Sequence, residues 1–104
     1  MSFYKSARGI MIVDNHILKA FLAQDTGEYV EAEYDLDEII GNRNGQFTWG
    51  GVDFSSSASD VTLSLGADPI LRATLINFEG NRVTAEIDLS ERIGNEDGEF
   101  VFSG

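Results

Sequence analysis

Asp35-Leu36-Asp37-Glu38-Ile39-Ile40-Gly41-Asn42-Arg43-Asn44-Gly45-Gln46-Phe47 returns 53 residues later as Asp88-Leu89-Ser90-Glu91-Arg92-Ile93-Gly94-Asn95-Glu96-Asp97-Gly98-Glu99-Phe100. Extended outward, Ile17 to Trp49 lies over Ile70 to Phe102 with 16 of 33 positions identical. Upstream the offset becomes 51, with Phe3, Ser6, Ala7, Ile10 and Ile12 over Phe54, Ser57, Ala58, Val61 and Leu63. The second copy therefore carries two extra residues, placed near Gly66-Ala67-Asp68. Such a repeat predicts a duplicated unit, pseudo-twofold architecture and two diverged copies of any binding site.

The quoted stretch is also a structural sentence. Leu36, Ile39 and Ile40 recur at helical spacing behind Asp35, an N-cap residue, so one packed helical turn is expected. Asn42-Arg43-Asn44-Gly45 is a tight-turn signal, because Asn and Gly tolerate positive φ. Gln46 to Trp49 then returns as a strand. Around it the signal is β: an apolar run over 10–13, a turn at Asp14-Asn15-His16, and a strand from Ile17 to Ala23. A second turn falls at Asp25-Thr26-Gly27. Val30, Ala32 and Tyr34 next alternate with Glu31, Glu33 and Asp35, the period of a half-buried strand. The second repeat reads the same: strands over 61–65, 70–76 and 82–87, a helical turn over 88–92, a tight turn at 95–98 and a last strand over 100–102. Pro69 precedes a strand, where a missing N–H costs little. Gly50-Gly51 joins the repeats and reads as a hinge, which in a duplicated chain invites domain swapping.

With 104 residues there is room for one domain, and each repeat of about 50 residues is marginal alone, so the halves are expected to share a core. The net charge of −11 disfavours nucleic acid and anionic membranes, which call for Lys/Arg patches. With no cysteine there is no disulfide, thiolate zinc site or thiol catalysis. No run is long enough to span a bilayer, and the first residues carry no apolar signal core. A cytoplasmic or non-classically exported chain is the expectation.

The doubled Asp-Leu-x-x-x-Ile-x-Asn-x-[Asn/Asp]-Gly-x-Phe pattern resembles the cyanovirin-N homology lectins over nearly the full length. Ile17-Leu18, Gly27-x-Tyr29, Asp35-Leu36, Gly41-Asn42-x-Asn44-Gly45, Trp49-Gly50-Gly51 and Asp53-Phe54 carry the likeness. Lack of cysteine resembles the fungal branch; where the founder has disulfides, Ala7 with Leu22 and Ala58 with Leu75 stand, apolar pairs that replace a link with packing. The resemblance implies an all-β, cyanovirin-N-like fold over residues 1–104, with sequence repeats 1–50 and 51–104. Its two pseudo-symmetric lobes would each be a three-stranded sheet plus a β-hairpin with short helical turns. Lobe A would hold roughly 1–39 plus 90–104, lobe B roughly 40–89.

It also implies a sugar pocket in each lobe for mannose-type oligosaccharides, α1-2-linked mannose above all, with high-mannose glycans as partners. No cofactor, metal, nucleic acid or membrane insertion is implied, and the chain would be a monomer or a domain-swapped dimer. Carried over residue by residue, the lobe A site comprises Ser2, Lys5, Ser6, Ala23, Asp25, Asn95, Glu96 and Asp97. The lobe B site comprises Gly41, Asn42, Asn44, Asp53, Ser56, Ser57, Ile76, Asn77 and Phe78. Lobe A keeps an acidic residue, Asp97, in its tight turn, and carboxylates make the stronger hydrogen bonds to sugar hydroxyls. Lobe B has Asn44 there, no side chain at Gly41, and Ile76 and Phe78 where the family is often polar. Lobe A is thus the favoured site.

Without the resemblance, these residues read differently. Asn-x-Asp-Gly and Asn-x-Asn-Gly are turn formers first, Asp35 and Asp88 are helix caps, and Ser6 and Ser57 end strands. Trp49 and Phe102 are core or lobe-junction packing rather than stacking platforms, and Tyr4, Tyr29 and Tyr34 are single, partly exposed aromatics. His16, the one histidine, has no nucleophile partner in sequence. Asp35-x-Asp37-Glu38 lacks the spacing of a calcium loop and reads as solvated charge. Two alternatives to a lectin stand open: an interaction scaffold that has lost sugar binding, and a glycoside hydrolase built on paired carboxylates. The hydrolase has against it the absence of an acid beside an apolar neighbourhood.

Overall fold

A computed structural model describes residues 2–103. Among these residues are ten strands in groups of two or three, each group preceded by a single 3-10 turn. Strands β1 (Ala7–Val13), β2 (Ile17–Ala23) and β3 (Tyr29–Asp35) form one antiparallel sheet; β6 (Ala58–Leu65), β7 (Pro69–Ile76) and β8 (Arg82–Asp88) form its counterpart. The hairpins are β4 (Ile40–Arg43) with β5 (Gln46–Trp49), and β9 (Ile93–Glu96) with β10 (Glu99–Phe102). Burial follows the period of two in the central strands. Leu18, Ala20 and Leu22 of β2 are buried, as are Leu71, Ala73 and Leu75 of β7, while Phe21 and Arg72 face solvent.

The expected apolar pairs sit directly opposite one another, Ala7 against Leu22 and Ala58 against Leu75. The first strand starts earlier than its apolar run, at Ala7 rather than Ile10, because it is bent by a bulge. Gly9 and Ile10 together oppose Ala20, and Asp60 and Val61 together oppose Ala73. Gly9 and Asp60 both adopt φ near the left-handed region, at 61° and 53°, the signature of a bulge that uses a Gly-like residue. The two extra residues lie where the change of offset puts them. They lengthen the β6–β7 hairpin by one rung, Leu65 against Pro69, beyond the Ser64–Ile70 rung that matches Val13–Ile17.

Both predicted caps form: Asp35 Oδ1 accepts from Asp37 N at 3.0 Å and Asp88 Oδ1 from Ser90 N at 2.9 Å. Each opens a three-residue 3-10 turn, Leu36–Glu38 and Leu89–Glu91, whose leucine is fully buried. Both tight turns use positive φ at consecutive residues, Asn44 and Gly45 at 53° and 84°, Asp97 and Gly98 at 50° and 90°. That is the backbone of a type I′ hairpin, whose twist matches the flanking strands.

Each hairpin covers the sheet of the other repeat. β5 lies against β8, and β10 against β3. Phe47 packs edge-on against Phe54 at 5.6 Å, and Phe100 against Phe3 at 5.4 Å. Trp49 and Phe102 stack on each other at 5.8 Å where the two exchanges cross, the lobe-junction role expected of them. Phe3 and Phe54 are wholly buried, each worth about 1.5–3 kcal/mol of hydrophobic transfer. One core cluster therefore contains residues of both repeats, within a body of 50 × 23 × 22 Å. Gly51 is not an open hinge as the sequence led us to expect. A Cβ there would lie 2.9 Å from Gly41 Cα and N, so two backbones meet at this point.

Candidate functional site

At the first lobe (the β1–β3 sheet with hairpin β9–β10), one side chain organises the cleft. Asn95 Nδ2 donates to Ser6 Oγ at 2.8 Å and to Ala23 O at 2.9 Å, and its Oδ1 accepts from Gly98 N at 2.9 Å. Both of its donors are thereby used. Asp97 Oδ1 accepts from Asp25 N at 2.9 Å, tying the hairpin tip to the β2–β3 turn. Gly98 is pressed into that turn: a Cβ there would be 2.6 Å from Val30 Cγ2 and 2.9 Å from Gln24 Cγ. The structure thus brings Ser6, Ala23, Asp25, Asn95 and Asp97 together. Ser2 Oγ accepts from Tyr4 N at 3.1 Å at the 3-10 turn Tyr4–Ser6, on which Lys5 is exposed. Glu96 sits opposite Glu99 in the hairpin. A cleft of about 320 Å³ runs along Glu96, Asp97, Glu99 and Val101. Glu99 and Val101 were missed from the sequence; their signal was the two-residue turn, which puts Glu99 across from Glu96.

The second lobe repeats the frame. Asn42 Nδ2 donates to Ser57 Oγ at 2.8 Å and Ile76 O at 2.9 Å, and Asn42 Oδ1 accepts from Gly45 N at 2.9 Å. Asn44 Oδ1 accepts from Phe78 N at 2.9 Å, the counterpart of the Asp97–Asp25 bond. Asn77 Oδ1 holds its own loop through Glu79 N at 3.0 Å and Asn81 N at 2.9 Å. Asp53, at φ 60°, bridges Gly41, and its carbonyl accepts from Ser56 Oγ at 2.9 Å.

These contacts change the reading of several candidates. Asn42 and Asn95 are pins that spend both amide donors inside the protein, and Ser6 and Ser57 are their acceptors rather than strand ends alone. Gly41 is buried beneath Gly51 and Val52, whose backbone a Cβ would meet at 3.0 Å. No side chain fits there, so this position presents no side-chain ligand. Among the candidate residues, the groups left uncommitted are the Asp25, Glu96 and Asp53 carboxylates, Asp97 Oδ2, Lys5 Nζ, and the Nδ2 amides of Asn44 and Asn77. The first cleft is therefore acceptor-rich and acidic. The second presents amide donors beside Phe78, which is 80% exposed.

Away from both clefts, His16 has the partner that sequence could not supply. Its Nδ1 lies 2.7 Å from Asp35 Oδ1 and 3.6 Å from Asp37 Oδ2. The hydrogen bond to Asp35, reinforced by Asp35, Asp37 and Asp14, holds the imidazole pKa above 6.5 against partial burial. The same bond holds Asp35 below the usual carboxylate range. Asp37 takes Ser55 N at 3.0 Å and Ser55 Oγ at 2.5 Å, so these acids are partnered rather than merely solvated. His16, Asp35 and Asp37 put potential ligand atoms within 4.8 Å of one another. Each of the three is engaged by a donor or acceptor of the chain itself.

The CVNH domain family matches residues 3–101. The chain is 39% identical over 96% of both sequences to a Cyanovirin-N homolog of Neurospora crassa. It superposes on the NMR structure of the Gibberella zeae CVNH protein with a TM-score of 0.92 and 45% identity, covering 98% of this chain and 97% of that one. Two further solved structures are each 25% identical. They are a microvirin:mannobiose complex, with a TM-score of 0.87 and 98% of each chain covered, and a MoCVNH3 variant in complex with (N-GlcNAc)4, with a TM-score of 0.86, 96% of this chain and 95% of that one covered.

Proposed function

Because this chain belongs to the CVNH family, we propose that it is a lectin that takes mannose-type oligosaccharides, α1-2-linked mannose first among them, in the first-lobe cleft without a metal ion. The chain is a binding protein and not an enzyme. The carrying observation is the set of carboxylate oxygens of Glu96 and Asp97 along the first cleft, with that of Asp25 in the turn tied to it, on a frame that Asn95 holds rigid. Sugar hydroxyls need acceptors, charged acceptors are the stronger ones, and several must act together because each replaces a bond to water at small net gain. A preformed frame lowers the ordering cost of that exchange. The mannobiose complex of microvirin supports the choice of sugar.

The test is an amide NMR titration with α1-2 mannobiose. Shifts at Ser6, Asp25, Asn95 and Asp97 are expected, weakened in Asp97→Asn, which keeps an Oδ1 to accept from Asp25 N as Asn44 does from Phe78 N. Shifts confined to Asn42, Asn44, Asp53 and Ser57 would reverse the ranking of the lobes. A silent spectrum at millimolar sugar would refute the mannose reading and leave another glycan or the scaffold role.

A further inference from the structure

The two lobes' candidate sites are built on one frame but offer opposite chemistry. Asp25 and Phe78 are equivalent positions, each with its backbone N–H held by the hairpin tip, at Asp97 and Asn44 respectively. In the first lobe the held residue is an acid. In the second it is a phenyl ring, 80% exposed and, among the described residues, the large apolar side chain most open to water. An aromatic on a loose loop would be unremarkable, but this loop is not loose. Asn77 Oδ1 closes it through two N–H bonds, and a Cβ on Gly45 would come within 3.3 Å of Asn77 Cβ. The ring is thus carried on backbone fixed against the turn Asn44–Gly45.

The polar groups differ in the same sense. Asn44 and Asn77 both use Oδ1 inside the protein, which leaves each Nδ2 amide as a donor beside Phe78. Donors suit an acceptor such as an acetamido carbonyl, whereas the first cleft's carboxylates suit hydroxyl hydrogens. An aromatic face, electron-rich at its centre, suits the axial C–H bonds of a pyranose whose substituents are equatorial, and an acetamido methyl.

We propose that the second-lobe cleft takes an N-acetylhexosamine of equatorial configuration, its ring face on Phe78 and its acetamido carbonyl toward the Asn44 and Asn77 amides. This rests on the reading of the chain as a lectin and gives its two clefts different sugars. Phe78 is then the specificity-determining residue of the second.

The probe is N,N′-diacetylchitobiose, titrated into the full chain alongside α1-2 mannobiose. Expected are amide shifts at Asn44, Asn77 and Phe78, and upfield movement of the sugar's ring and acetyl protons from the ring current of Phe78. Phe78→Ala, a change at a solvent-facing side chain, is expected to weaken chitobiose about tenfold or more and abolish the upfield movement. Phe78→Trp is expected to retain both, and neither variant to alter mannobiose shifts at Asp97. Chitobiose binding unchanged in Phe78→Ala, or shifts without upfield movement, would overturn the platform. Mannobiose shifts in the first lobe with none from chitobiose in the second would overturn this proposal and leave the lectin reading standing. No shift from either sugar would overturn both.

Discussion

Replacing Asn95 by alanine tests whether the cleft is a frame first and a ligand surface second. The side chain makes three hydrogen bonds, to Ser6 Oγ, Ala23 O and Gly98 N. At a net worth near 1 kcal/mol each, the sum is about 3 kcal/mol. Gly98 is buried, so its N–H is left without water and keeps its full penalty, while Ser6 and Ala23 are half-buried and regain some solvation. The expected loss is about 2–3 kcal/mol, or roughly 10–20 °C in Tm for a domain of this size. Urea unfolding followed by Trp49 fluorescence measures it, with an unchanged m-value showing that the loss is native-state stability. Asn42→Ala removes the equivalent three bonds and is expected to cost somewhat less, because Ile76 is exposed and its carbonyl regains water. A loss below about 1 kcal/mol in both variants would refute the reasoning, and the turns would then be rigid without these asparagines.

Two other perturbations follow from contacts that bypass the clefts. The raised pKa of His16 contributes stability that is complete below its unfolded value of 6.5 and fades as pH climbs through the raised one. The lowered pKa of Asp35 contributes above 3.8 and fades as pH falls through the depressed one, so the pair acts fully between about pH 3.8 and 6.5. The urea midpoint of the native chain is expected to drop more between pH 6 and 8.5 than that of His16→Gln; parallel profiles would show the pair to be inert. Gly51→Ala sets a Cβ 2.9 Å from the Gly41 backbone, and is expected to lose about 1–3 kcal/mol by overpacking, read by thermal melting. A neutral result would mean that the two segments separate freely.

What could be read from the chain was what is local or doubled. Asp35 and Asp88 announce their caps through the next two residues, and Asn44-Gly45 and Asp97-Gly98 announce positive φ. The slip from offset 53 to 51 locates a longer hairpin because strand registers on either side are independently pinned. Contacts made across the chain left no such trace. Ser6 and Asn95 are 89 positions apart, and nothing near either says that the asparagine's donors are spent on the serine and Ala23. His16 and Asp35 meet because β1–β2 and β3 share a sheet end. Gly41 reads as a site position that lacks a side chain, yet the backbone of Gly51 above it leaves no room for one. Phe78, an apolar residue in a turn, reads as a weakness of the second site, because sequence does not reveal how far a ring protrudes or how firmly its backbone is held.

The exchange of hairpins has a consequence for valency. Each cleft is assembled from both repeats, Ser6 with Asn95 in one and Asn42 with Ser57 in the other. If the chain opened at Gly50 and traded halves with a second copy, every cleft would re-form from two chains with the same groups in the same places. The assembly would then display four clefts on one body in place of two. The number of glycan arms it can hold at once would double without a change in any single contact, and multivalent attachment gains strength from number and spacing alone.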